Sequence, residues 1–170
     1  DAAEHLFSQK GFATVTTREI ASQANVSLSA LPYYFGSKQE ILRQVLDRRL
    51  SEIQGKRAAM LSEAAPIDPE NPHSMRRILE ALLKPTFIMS QEHRDFTRLL
   101  GAVSIDPNPD VQAAMNEVFA QYPTGLPAEL RKSASHLDDE DFFWRFYCIL
   151  GAMIYIQSDT GRMDEMTRGK

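Results

Sequence analysis

Residues Thr16–Lys38 read TTREIASQANVSLSALPYYFGSK, and their punctuation is that of helix, tight turn, helix. Thr16 and Glu19 have the spacing of a capping box, in which the hydroxyl accepts from the residue-19 amide and the carboxylate reaches back. Ile20, Ala21 and Ala24 fall on one helical face. Asn25 tolerates the left-handed backbone that ends a helix. Val26 is expected to return to the core, and Ser27 to cap a second helix that carries Leu31 and Phe35 inward. Gly36 closes that helix, and Ser37 with Glu40 repeats the capping box. Two helices of about two turns joined so tightly make a helix-turn-helix. With Ser27 as cap, Pro32 is the fifth helical position. There it loses a bond to the Leu28 carbonyl and crowds it, so an irregular helix is expected.

The preceding DAAEHLFSQKGF and the following QEIL extend the pattern. Together Asp1–Leu46 resembles the DNA-binding domain of the TetR family of bacterial transcription regulators. Several separate features carry the likeness: Ala-Ala-x-x-Leu-Phe, the Gly-Phe turn, Thr-Thr-Arg-Glu-Ile-Ala, Val-Ser and Tyr-Tyr-Phe-Gly-Ser-Lys. Arg18, two residues into the first helix of the motif, is the best base reader, since arginine bridges O6 and N7 of guanine. Ser29 and Ala30 point into the major groove, beside Ser27. Leu28 stands where many relatives have a polar or basic residue, which implies apolar or weak readout there, or simple tolerance. The resemblance gives Thr17, Tyr33, Tyr34 and Lys38 phosphate contacts, which fix register without reading sequence.

Charge neither demands nor forbids this. The net charge is −4. Residues 1–50 hold six Lys+Arg and five Asp+Glu, hence +1; residues 51–170 hold thirteen and eighteen, hence −5. Specific binding depends on where a few cations point, so the acidic remainder reads as a domain that does not touch DNA. Hydrophobic content of 43% fits a globular protein. No apolar run approaches the roughly 18 residues of a membrane span, and Asp1 opens in mid-helix with no charged leader. One cysteine, Cys148, forms no internal disulfide, which fits a reducing cytoplasm. Cys148 itself is expected in the core.

Beyond the motif everything reads as helix. Lys38–Glu63 carries Ile41, Leu42, Val45, Leu46, Leu50 and Ile53 at helical spacing and makes a long connector, with Gly55 a weak point. Pro66, Pro69 and Pro72 make a loop. Ser74 is expected to cap a helix that Pro85 kinks. Asp95–Ser104 is short and apolar. Asn108 and Pro109 open another helix, Val111–Tyr122, and a loop at Pro123–Pro127 leads to Ala128–Ala134. Asp138 and Asp141 cap DEDFFWRFYCILGAMIYIQ, which is apolar nearly all round and so packs on a second subunit as well as inside. The final DTGRMDEMTRGK has little apolar periodicity, and no helix is expected there.

No nucleophile–base pair or phosphate-cradling loop is present, and His5, His73, His93 and His136 lack metal-ligand spacing. No enzyme, cofactor or metal is expected. The Leu-Leu-Gly of 99–101 with Phe-Trp-Arg-Phe and Leu-Gly-Ala at 143–152 is similar to the ligand domain of a TetR branch that includes regulators of fatty-acid metabolism. Phe87, Phe96, Leu100, Phe119, Tyr122, Trp144 and Tyr147 are then candidates to line an effector cavity, with Arg98 or Arg145 meeting a carboxylate; plain core is the alternative. The reading is an all-α chain: a three-helix DNA-binding domain over 1–46 and a helical ligand-binding and dimerisation domain over 47–170. Its expected role is a cytoplasmic, homodimeric repressor of a near-palindromic duplex operator, released by a small apolar or aromatic effector. A helical ligand-binding or enzyme module without specific DNA binding is the competing reading.

Overall fold

The computed structural model describes residues 1–62, 68, 71–122, 126–158 and 162–167. Every regular element among them is helical. Helices α1 (Ala2–Lys10), α2 (Thr17–Gln23) and α3 (Ala30–Phe35) bury Phe7, Phe12, Val15, Ile20 and Leu31 against the start of α4 (Lys38–Ser62). The 25-residue α4 runs unbroken through Gly55, about 37 Å at 1.5 Å per residue. Its Ile41, Leu42 and Leu46 serve the first three helices. Its Leu50 and Ile53 join Phe96, Leu99, Val103 and Val111 in the same continuous core.

The remaining helices are α5 (Pro72–Glu92), α6 (Arg94–Ile105), α7 (Pro109–Gln121), α8 (Leu126–Ser133), α9 (Asp139–Gln157) and α10 (Arg162–Thr167). Helix α4 packs on α5 and α7, and α6 packs on α1 and α9. A second, smaller core joins α5, α8 and α9 through Ile78, Leu82, Leu130 and Phe142. Asn108 caps α7 by accepting from Asp110 N at 2.9 Å, with Pro109 at its first position. Asp138 caps α9 by accepting from Asp141 N at 2.8 Å. The proline-rich linker and Pro123–Pro127 lie largely outside the described residues.

Polar contacts fix α1 between α4 and α6. Glu4 is buried and accepts from Arg48 Nη2 at 2.8 Å and Arg49 Nε at 3.3 Å. His5 Nδ1 meets Asp95 Oδ2 at 2.7 Å. Gln9 donates to Asp95 Oδ1 at 3.2 Å and accepts from Arg98 at 3.3 Å.

Several sequence expectations are corrected. Asn71, not Ser74, caps α5, through His73 N at 2.9 Å. Ser74 is buried and accepts from Asp68 N instead. The position of Pro85 inside α5 is as expected. Only half of the second capping box forms: Glu40 N donates to Ser37 Oγ at 3.0 Å, while the Glu40 carboxylate takes the Arg43 guanidinium and Gln44. A charged donor one turn along outcompetes the backbone amide. Cys148 is exposed rather than in the core, because it lies on the outward side of α9. The C-terminal stretch does hold a short helix, α10.

Candidate functional site

The helix-turn-helix is built by local hydrogen bonding. Both halves of the first capping box are present: Glu19 N donates to Thr16 Oγ1 at 3.2 Å, and Thr16 N donates to Glu19 Oε2 at 2.8 Å. Lys10 Nζ donates to the other carboxylate oxygen at 2.8 Å. The Lys10 ammonium and the Thr16 groups hold the Glu19 carboxyl at a pKa of about 2. Its charge is thus matched locally. Helix α2 ends in a Schellman motif: Val26 N–H bonds Ala21 C=O at 3.0 Å and Asn25 N–H bonds Ser22 C=O at 3.1 Å. Asn25 takes the left-handed conformation this needs, φ 55°.

The second helix starts later than its sequence suggests. Ser27 does not cap it; α3 begins at Ala30, with Ser29 at the N-cap position and the Ser27 hydroxyl 3.2 Å from that of Ser29. Pro32 decides this. It is now the third helical residue, where an amide has no intrahelical acceptor and a missing N–H costs nothing. The expected irregularity is absent. Residues 27–29 form a turn that Ala30 N–H closes on Ser27 C=O at 3.0 Å. Val26 lies on its outside, 47% exposed, rather than in the core. Ala24 is exposed as well.

Arg18, Ser27, Leu28, Ser29, Tyr33 and Tyr34 are all exposed, and Thr17 and Ala30 are half-buried. Arg18 has no partner among the described residues. Tyr33 and Tyr34 are 82% and 71% exposed and meet edge to face, 4.9 Å between centroids. They do not pack beneath the motif. Lys38 departs from the set. Its ammonium donates to the carbonyls of Phe12 at 2.9 Å and Val15 at 3.0 Å and lies 4.3 Å from the Phe12 ring centre. It ties the α1–α2 turn to the start of α4, so the expected phosphate contact competes with three internal ones.

The expected effector-lining residues do not enclose one space. Phe96 and Leu100 are core. Tyr122 donates to Asp47 at 2.6 Å, Arg98 bonds Gln9, and Phe119, Trp144 and Tyr147 face outward. Arg145 lines a small pocket of about 190 Å³ with Met75, Leu79 and Phe146. Helical periodicity marks which residues are apolar, but not which apolar face meets another helix. Phe87 alone of the set lines the larger cleft, about 310 Å³, between α5 and α9, with Leu83, Thr86, Met153, Ile156 and Gln157. Beneath Thr86 lies a residue the sequence reading missed. Arg57 is buried, and its Nη2 donates to Thr86 Oγ1 and to Leu82 C=O, each at 3.0 Å. Burial lowers its pKa to about 10. A charged residue on an amphipathic helix reads as solvated, so no sequence signal separated it from its neighbours.

No described helix is long and apolar enough to cross a membrane, and no three described His, Cys, Asp or Glu side chains are placed to hold a metal ion.

Comparison with known proteins bears on both halves of the chain. Residues 1–45 match the family described as bacterial regulatory proteins, tetR family. Residues 80–170 match the tetracyclin repressor-like C-terminal domain. An HTH-type transcriptional regulator of Bacillus subtilis (strain 168), YerO, is 28% identical over 102 residues, 60% of this chain and 33% of that protein. The match therefore spans about a third of that relative's length. The fold is similar to that of PfmR, a TetR family transcriptional regulator from Thermus thermophilus: TM-score 0.62, 21% identity, 94% of this chain and 85% of that one. The fatty acid degradation regulator FadR from Bacillus halodurans is similar at TM-score 0.71 and 18% identity, over 96% and 86% of the two chains.

Proposed function

The chain belongs to the TetR family of bacterial transcription regulators, and from that premise we propose that it is a dimeric repressor released from its operator by a small apolar effector. The observation that supports DNA recognition is the exposure of Arg18, Ser29, Tyr33 and Tyr34 on a rigidly capped frame. Arg18 reads a guanine, Ser27, Leu28, Ser29 and Ala30 approach the neighbouring bases, and Thr17 with the two tyrosines holds phosphates. We assign DNA contact to residues 1–46 and effector binding and dimerisation to 47–170.

Two recognition helices must sit about one DNA turn apart, roughly 34–36 Å, to engage a near-palindrome. A second copy supplies the other. Trp144 and Tyr147 on α9 are 66% and 63% exposed, with Gly151 and Tyr155 further along the same side. A two-fold contact there buries more than about 1,000 Å². The apolar cleft between α5 and α9 takes the effector. Because α9 packs on α6, and α6 on α1, occupancy favours a conformer with different helix spacing, and effector and operator affinities are linked reciprocally.

A salt-series gel shift on the DNA flanking its own gene tests this reading. Binding is expected to resist competitor DNA and to weaken with salt. No shift anywhere in that region would favour a helical ligand-binding module without DNA recognition.

A further inference from the structure

Arg49 reaches three parts of the fold with one guanidinium. Its Nε donates to Glu4 on α1 at 3.3 Å, and its Nη1 donates to Nε2 of His93 at 3.2 Å. An arginine N–H can only donate, so the imidazole nitrogen is the acceptor. Glu52, on the same helix α4, lies 3.7 Å away. His93 is the joint between α5 and α6. Its N–H bonds Met89 C=O at 2.8 Å to end α5, and its C=O accepts from Thr97 N at 3.0 Å to open α6.

Neutralising Glu4 does not require Arg49. Arg48 Nη2 donates to the same Glu4 oxygen at the shorter distance of 2.8 Å, and Glu52 balances the charge of Arg49. What Arg49 adds is direction, because its planar fork holds α1 and the α5–α6 joint at a set angle about α4. The ion pair that ties α1 to α6 lies nearer the surface. The side chains of His5 and Asp95 are 52% and 40% exposed, against 15% and 9% for Arg49 and Glu4. Solvent and salt weaken the outer tie far more than the inner one. Helix α1 in turn carries the DNA-reading unit. Phe7 shares a core with Phe12, Val15 and Ile20, and Lys10 pairs with Glu19 of α2 at 2.8 Å.

We propose that Arg49 sets the separation of the two recognition helices in the dimer, and so the spacing of the operator half-sites, by fixing α1 against the α5–α6 joint. It is a positioning residue that acts through α1. The proposal rests on the dimeric operator reading above and names what selects the spacing. Each base pair inserted between half-sites moves them about 3.4 Å apart and turns them by about 35°. A rigid joint therefore accepts one spacing and a loose joint accepts several.

Gel shifts of the full chain test this on the fragment it binds in the DNA flanking its own gene, with the centre shortened or lengthened by one and two base pairs. Melting temperatures are measured on every variant. The wild type should prefer the native spacing by about tenfold or more over a change of two base pairs. Arg49→Met keeps the aliphatic stem and leaves Glu4 paired with Arg48. It should narrow the preference to about threefold or less. His93→Phe removes the acceptor without touching Glu4 and should do the same. Asp95→Ala breaks the outer tie to His5 and should leave the preference intact. An Arg49→Met variant that melts earlier and binds every spacing equally weakly, with the preference unchanged, makes Arg49 a plain stabilising contact and overturns the proposal. So does wild-type indifference to spacing, or a preference lost equally in Asp95→Ala. Should Arg49→Met fail to fold, His93→Phe decides. Each of these results leaves operator binding standing while the positioning role falls; a wild type that shifts no DNA removes both.

Discussion

Gly101 of α6 lies so close under the end of α9 that a Cβ placed there would sit 2.8 Å from the backbone nitrogen of Ser158 and 3.0 Å from the Gln157 carbonyl carbon. Gln157 also lines the apolar cleft. One residue therefore joins the cleft wall to the helix that packs on α1. Backbone atoms cannot swing aside as a flexible side chain does.

Gly101→Ala should therefore lift α9 from α6. Overpacking of this kind costs about 1–3 kcal/mol, and Tm should fall by roughly 2–4 °C for each kcal/mol lost. Calorimetry checks it. A Tm equal to that of the parent would show that the two helices are free to separate.

Arg18 and Lys38 are both cations of the motif, yet they should behave differently. Arg18→Ala should weaken specific binding by about 1–3 kcal/mol and relax preference at one base pair per half-site. Equal loss on operator and random DNA would make it a phosphate contact.

Lys38→Met should act first on stability, because it strips the charged donor from the Phe12 and Val15 carbonyls. A loss of about 1–3 kcal/mol is expected, with the slope of log affinity against log salt unchanged. A slope shallower by about one unit per site would restore Lys38 as a phosphate contact.

Tyr147→Asp should yield a folded monomer, since the ring is largely solvent-facing in one subunit. Sedimentation at micromolar concentration, with circular dichroism to confirm helicity, distinguishes this from unfolding. A dimer that survives the charge would place the interface elsewhere.

Glu19 titrates far below the ordinary carboxylate. Its folded pKa is about 2 against 4.5 for a free glutamate. A depressed pKa means the contribution is complete above 4.5 and disappears as pH falls toward 2. Carbon-13 NMR of the carboxyl should show no protonation at about pH 4, two units above the folded pKa. Half-protonation there would mean that Lys10 and Thr16 do not hold it.

The helix-turn-helix was legible because its signals are local. Thr16, Glu19, Asn25 and Gly36 each act on backbone atoms within a few residues, so spacing alone reveals their partners. The errors there came from rival local signals: Ser27 suggested a cap, and Pro32 moved the start to Ala30, where its missing amide is harmless. The effector region was less legible. Phe87, Phe96 and Trp144 look alike in sequence, yet one lines a cleft, one is core and one faces outward.

By itself the sequence determined the all-helical class and most of the helix ends, because capping and periodicity are short-range properties. Tertiary structure decided which side chains share a space. The approach of Gly101 to Ser158, the turn of Lys38 toward Phe12 and the burial of Arg57 behind Thr86 join residues from separate helices and turns. How two helices are rotated about their axes when they pack is a property of neither helix alone, so no local pattern carries it.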